Sequence, residues 1–243
     1  MQDNVYRIEH LNKSYENSNG DRIQVFRDLT LNIEKGKITA LLGPSVCGKS
    51  TLLNVLAGFE TYDSGTVPSQ EGMGVVFQSP ALFPWLTVEG NIAYGLKRRK
   101  VPAQERRERI DSYIKLVQLE DYRSYYPREL SGGMQQRAAL ARTLVLHPEV
   151  LLMDEPFSAL DPKLRFQMQQ LTLNLWKELD QTILIVTHDV EEALILADTI
   201  YLMEECPGGV RRIVHVPWQE KDATVRDTKD FSELKKSLLN NEN

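Results

Sequence analysis

Apolar residues along the chain fall into short unbroken runs that alternate with helical stripes. Residues 37–42 (KITALL), 150–153 (VLLM), 182–186 (TILIV) and 199–203 (TIYLM) are strand-length runs with almost no polar interruption, the pattern of strands buried on both faces. Between them lie helix-spaced apolar residues: Leu52, Leu53, Val55 and Leu56, stopping at Gly58; Leu164, Met168, Leu171 and Leu175, opened by Pro162 at a first-turn position where proline is tolerated; and Val190, Ala193, Leu194 and Ala197. Residues 74–78 read as a further strand. Residues 5–11, 23–26 and 29–33 are shorter β-like stretches broken by the turn-rich ENSNGD. Alternating strands and helices predict an α/β fold with a mostly parallel sheet covered on both faces, preceded by a small β region.

From about Ser79 to Leu130 the pattern changes. Prolines and aromatics cluster in SPALFPW, helical segments follow, and Ile110, Ile114 and Val117 share one helix face, so this stretch reads as a mostly helical insertion. Ser131 is placed to cap the next helix, through Ala138, Leu140 and Ala141. The tail after Cys206 is weakly patterned, with a turn at CPGG, a basic pair and a polar end expected to fray. The expected division is a core of residues 1–78 and 136–205, a helical subdomain of 79–135 and an extension of 206–243. In parallel sheets ligands collect at the carboxyl ends of strands, and Gly43, Gln78, Asp154 and His188 all fall at or just past such ends.

Composition removes several classes. A net charge of -5 argues against a dedicated nucleic-acid binder, and the acids within ERRER, with Pro102 before it, make the basic residues 97–109 a solvated helical surface. The two cysteines, Cys47 and Cys206, form no metal or disulfide pattern and read as reduced thiols. The opening MQDNVYRIEH is polar and charged, unlike a signal peptide, and no apolar run approaches membrane-spanning length. Any action at a membrane is therefore expected through a partner.

Two segments carry chemistry. GPSVCGKST, residues 43–51, fits G-x-x-x-x-G-K-[ST], and it follows a strand and opens a helix. Such a loop turns several backbone N–H groups and the positive end of the helix dipole toward phosphate. Lys49 is placed to reach the β- and γ-phosphates and Ser50 to put its hydroxyl on Mg²⁺. The strand 150–153 delivers Asp154 and Glu155 to its end, the first suited to holding Mg²⁺ and the second to polarising an attacking water.

At 130–137 the chain reads LSGGMQQR, which closely resembles the signature motif of ABC-type ATPases, with Met134 where that family usually has Gln. The resemblance covers residues 5 to about 205. It implies a P-loop NTPase (RecA-like) core, an N-terminal antiparallel β subdomain and an inserted α-helical subdomain. It implies ATP and Mg²⁺ as ligands, with Tyr15 stacking on adenine, Gly43, Pro44, Ser45, Val46, Cys47, Gly48, Lys49, Ser50 and Thr51 on the phosphates, and Ser50, Gln78 and Asp154 at the metal. Glu155 becomes the general base, His188 a stabiliser of developing charge and Gln78 a γ-phosphate sensor, with SALD at 158–161 supplying Asp161. Ser131, Gly132 and Gly133 are expected to contact the ATP held by a second copy, so that ATP closes a head-to-tail dimer. Partners implied are that second copy, transmembrane permease subunits and, indirectly, an extracytoplasmic solute-binding protein; the location implied is the inner face of the cell membrane. The stretch Leu82–Leu86 (LFPWL) falls where the family receives a cytoplasmic helix of the permease.

The wording FQSPALFPWLTVEGNIAYGL and LSGGMQQRAALARTL is similar to the nitrate, sulfonate and taurine importer group. Two alternatives stay open: a non-transport ABC ATPase, and a nucleotide-binding regulator with slowed turnover. The second rests on Val46, which stands where the family usually has glycine, in a loop whose tight approach to phosphate suits glycine.

Overall fold

The computed structural model describes residues 5–44, 47–218, 221 and 223–239, so Ser45 and Val46 lie outside the described residues. β1 (Val5–Glu16) and β2 (Arg22–Glu34) pair antiparallel and, with β4 (Ser64–Thr66) on the other side of β1, form a three-stranded sheet. The stretches 23–26 and 29–33, expected as separate, are one strand. The break between them is an irregularity in register, where His10 (φ 53°) and Asp28 (φ 56°) take left-handed conformations and their side chains meet at 2.6 Å.

The second sheet contains β3 (Ile38–Leu42), β5 (Met73–Val76), β6 (Val150–Asp154), β7 (Thr182–Thr187), β8 (Thr199–Met203) and β9 (Val210–His215), in the order β5-β6-β7-β3-β8-β9. Every pair is parallel except β8–β9. Period-two alternation explains the unbroken apolar runs. Ile38, Ala40, Leu42, Leu151, Met153, Ile183, Ile185, Ile200 and Leu202 face one core, under α2 (Val88–Arg98), α3 (Ala103–Leu116), α4 (Gly132–Leu144), α5 (Pro162–Leu179) and α6 (Val190–Leu196). Leu41, Leu152, Leu184, Val186 and Tyr201 face the other, against α1 (Lys49–Leu56) and the antiparallel sheet.

The helix starts are written locally. Ser131 Oγ accepts from the Met134 N–H at 3.3 Å, and Asp161 Oδ1 accepts from the Lys163 and Leu164 N–H groups, each at 3.1 Å, with Pro162 at the first position of α5. Ile110, Ile114 and Val117 are buried as their spacing predicts.

Two expectations need correction. β5 ends at Val76, so Gln78 lies in the connection beyond it rather than in the strand. The tail is not a loose extension through residue 239: β9 closes the sheet edge, and α7 (Lys229–Leu239) packs Phe231, Leu234 and Leu238 on the core beside Trp218 and Val225. β9 hides only one apolar residue, Val214, so its alternation is too faint to read. Three apolar residues at helix spacing suffice for α7 once a surface on α6 is there to receive them.

Candidate active site

α1 begins directly behind the end of β3, and Gly48 makes the turn. Its φ is 86°, and a Cβ there would lie 2.6 Å from Val25 Cγ1 and 2.8 Å from the Phe26 ring, so only glycine fits both the conformation and the space. The next residue, Lys49, is buried. Its Nζ donates to the carbonyl oxygens of Gly43 and Pro44, both at 2.6 Å, and lies 3.7 Å from Cys47 Sγ. An ammonium enclosed by a loop with backbone donors at a helix start is a receptor for a polyanion. Thr51 follows in the same first turn.

Ser50 Oγ donates to Asp154 Oδ1 at 3.0 Å, tying the loop to the end of β6. Burial holds the Asp154 carboxyl above the usual aspartate range; the Ser50 hydrogen bond opposes that shift, Glu155 adds to it, and Lys49 opposes it. A carboxylate short of counter-charge beside a hydroxyl, both hard oxygen donors, suits a divalent cation such as Mg²⁺.

Glu155 sits at the turn after β6 with φ 43°, a rare conformation for a non-glycine residue, and its N–H donates to the Val186 carbonyl at 2.9 Å. Its Oε1 comes within 3.2 Å of His188 Nδ1, where His188 links β7 to α6. The parallel pairing of β6 with β7 brings these two residues together. Gln78 Nε2 donates to Ser158 Oγ at 2.9 Å, and Ser158 Oγ donates to the Glu155 carbonyl at 3.0 Å. Gln78, Glu155 and His188 therefore form one connected group. Ser158, the first residue of SALD, is the connecting residue, a role the resemblance does not give its hydroxyl. A cavity of about 560 Å³ opens beside Gly43, Pro44 and His188. A larger one of about 930 Å³, between α2 and α3, contains none of the predicted site residues.

Other predicted residues stand apart. The ring of Tyr15 is 38% exposed and carries Lys13 Nζ 4.3 Å from its centroid; Lys13 is itself paired with Glu60 at 2.9 Å. Among the described residues no hydrogen bond or ion pair joins Tyr15, Ser131, Gly132, Gly133 or Asp161 to the phosphate loop. A Cβ on Gly132 would meet nothing within 4 Å, whereas one on Gly133 would press into Leu164.

The LFPWL stretch borders a groove of about 410 Å³ lined by Phe59, Phe83, Tyr94, Arg99, Arg142 and Leu146. Phe83 packs on Tyr94 at 4.5 Å, and Trp85 is 69% exposed, while Leu82 is packed against the core. The stretch is held by Asn91, fully buried, which accepts from the Phe83 N–H and donates to the carbonyls of Phe83, Leu86 and Thr87. The Arg142 guanidinium donates to the Pro80 and Ala81 carbonyls from below. Neither residue stood out in the sequence. Among the described residues, no helix is long and apolar enough to cross a membrane.

A phosphate loop joined through Ser50 to one of two carboxylates at a strand end, inside this sheet order, defines a P-loop ATPase. Residues 26–158 match the family described as ABC transporter. A taurine import ATP-binding protein of Roseobacter denitrificans is 40% identical over 96% of this chain and 92% of its own length. That of Pseudomonas aeruginosa UCBPP-PA14 is 42% identical over 95% and 93%, and an Fe(3+) ions import ATP-binding protein of Fusobacterium nucleatum is 44% identical over 82% of this chain and 55% of its own length. Among solved structures, cbiO1 of Clostridium perfringens, part of the ABC transporter complex cbiONQ, superposes with a TM-score of 0.78 at 29% identity, over 97% of this chain and 98% of that one. The cassette MJ0796, dimeric in a post-hydrolysis state bound to ADP and Pi, gives 0.75 at 29% identity over 88% and 99%. The chain belongs to the ABC transporter family. Within it, this is an ATP-binding, ATP-hydrolysing cassette of the importer type, as the resemblance to the taurine importer group implied.

Proposed function

We propose that two copies of this chain hydrolyse ATP beneath a permease that imports taurine or a related small sulfonate, fed by an extracytoplasmic solute-binding protein at the outer face of the cell membrane. The observation that carries the catalytic part is the convergence of Lys49, Ser50, Asp154, Glu155 and His188 at neighbouring strand ends. The taurine importer relatives, aligned over nearly the whole chain, support the cargo.

In this reading the triphosphate draws Lys49 away from the Gly43 and Pro44 carbonyls, and the N–H groups of the loop 43–51 take the remaining phosphate oxygens. Ser50 Oγ and Asp154 Oδ1, 3.0 Å apart, would hold Mg²⁺, with Gln78 offering a further oxygen donor. When bound there, the cation would supply positive charge against that developing on the β- and γ-phosphate oxygens. Glu155 accepts the proton of the attacking water, and His188, in contact with it, steadies the charge that builds on the γ-phosphate. Tyr15 stacks adenine on the ring face away from Lys13. Ser131, Gly132 and Gly133, with Asp161 nearby on the same face, complete the site of the other copy, which accounts for the open space over Gly132. In this division, the core of 1–78 and 136–205 carries the phosphate, metal and base residues, the helical subdomain of 79–135 supplies Ser131–Gly133 to the other copy, and 206–243 is an extension. The Phe59–Phe83–Tyr94 groove receives a helix of the permease, on the inner face of the membrane.

Glu155→Gln tests this. ATP binding stays near the parent value while hydrolysis falls at least about a hundredfold, the usual contribution of a general base. Light scattering then finds an ATP-dependent dimer. Hydrolysis at the parent rate removes Glu155 as base, and a monomer at saturating ATP removes the shared site. Reconstitution with the cognate permease, followed by labelled taurine uptake, tests the cargo.

A further inference from the structure

α6 is short and almost wholly apolar on its buried side, with Val190, Ala193, Leu194, Ile195 and Leu196 inside the core. Glu192 is the exception. Its side chain is only 3% exposed; Oε2 accepts a hydrogen bond from Thr187 Oγ1 at 3.0 Å, and Oε1 is buried with no partner among the described residues. A carboxyl left half-satisfied in a core opposes folding, and an apolar residue would pack there at lower cost.

Its partner shows what the carboxyl does. Thr187 is the last residue of β7, itself buried, and its hydroxyl oxygen also accepts from the Asp189 N–H at 3.0 Å. The Thr187 hydroxyl thus bridges the two residues that flank His188, and Glu192 fixes the direction of that hydroxyl. Asp189 is held on its other sides by capping α6, accepting from the Glu191 and Glu192 N–H groups, and by Arg165 of α5 at 3.4 Å. The His188 side chain is 54% exposed, and among the described residues its polar contact is with Glu155, so the position of its imidazole depends chiefly on its backbone.

We propose that Glu192 is a positioning residue for hydrolysis: through the Thr187 hydroxyl it locks the two-residue link that presents His188 to Glu155. The proposal rests on the reading that His188 acts at the γ-phosphate. Burial outweighs the Thr187 hydrogen bond and pushes the Glu192 carboxyl up to about 8; Asp189 and Glu155 push the same way and Arg165 opposes them. At neutral pH it is therefore a neutral carboxylic acid, and glutamine is its close mimic.

Steady-state hydrolysis by the purified full chain decides it. Glu192→Ala and Thr187→Val each lower kcat at least tenfold with KM for ATP within about threefold, because the nucleotide contacts are untouched. Glu192→Gln recovers kcat to within about threefold of the parent at pH 7, whereas Thr187→Val, which also keeps the packing, does not, a difference that loss of packing alone does not predict. The parent rate falls as pH rises through about 8, as Glu192 ionises beside Asp189 and Glu155, and Glu192→Gln lacks that alkaline limb. Should Glu192→Ala not fold, Thr187→Val, which keeps shape and removes only the hydroxyl, carries the test. The proposal is overturned if Thr187→Val keeps the parent kcat while His188→Ala abolishes hydrolysis. If His188→Ala itself hydrolyses at the parent rate, the reading of His188 fails and the positioning role goes with it.

Discussion

Gly132→Ala separates what a motif glycine does for its own chain from what it does for a partner. Gly132 opens α4, and a Cβ there would meet nothing within 4 Å. Alanine in a helix is favoured over glycine by up to about 1 kcal/mol, so the substitution leaves the melting temperature unchanged or raises it by roughly 0–4 °C for a chain this long. Gly48→Ala is the opposite case. Its φ of 86° costs an L-residue about 1–2 kcal/mol, and a methyl 2.6 Å from Val25 and 2.8 Å from Phe26 adds about 1–3 kcal/mol of overpacking. The sum, roughly 2–5 kcal/mol, lowers the melting temperature by about 4–20 °C. In hydrolysis the substitution at Gly132 is no longer silent. If the ATP of a second copy packs on Gly132, the added methyl clashes only there, and an overpacking term of about 1–3 kcal/mol lowers turnover roughly 5- to 150-fold in a fully folded protein. Thermal melts and steady-state hydrolysis of both variants are the assay. A Gly132→Ala protein that melts normally and hydrolyses at the parent rate refutes the shared site; one that melts well below the parent refutes the open space.

Three further outcomes are expected. Val46→Gly, at a position where the family usually has glycine, tightens ATP binding by about 5- to 30-fold if the phosphate-bound loop requires a left-handed residue there, a cost of roughly 1–2 kcal/mol for a non-glycine residue; titration of labelled ATP giving equal affinities refutes that requirement. Trp85→Ala, at a 69% exposed site, leaves the melting temperature within about 1 °C yet weakens capture of the cognate permease in a pull-down, while Leu82→Ala, packed against the core, costs stability as well; unchanged capture by both removes the docking role of the groove. Phe231→Ala lowers the melting temperature by roughly 6–20 °C, because it deletes a buried ring packed 5.7 Å from Trp218, a loss of about 3–5 kcal/mol; a melt like the parent's shows that α7 contributes nothing to the core.

What the sequence by itself determined is what local chemistry encodes. Unbroken apolar runs announced β3, β6, β7 and β8; Ser131 and Pro162 marked helix starts; the glycine and lysine spacing of residues 43–51 announced a phosphate loop; and the run 150–153 announced a strand that ends on two carboxyl groups, Asp154 and Glu155. Each of these depends on a few consecutive residues and survives any arrangement of the rest. The tertiary structure decided which distant ends meet. The strand order β5-β6-β7-β3-β8-β9 sets Glu155 against His188, gives Gln78 a route to Glu155 through Ser158, and lays Ser50 on Asp154. It also turned unremarkable residues into supports: Asn91 under the LFPWL stretch, Glu192 behind the histidine link, and a faint C-terminal pattern into a packed strand and helix. A buried polar side chain acquires its meaning only from the partner that satisfies it, and that partner is supplied by an element elsewhere in the chain, out of reach of any local periodicity.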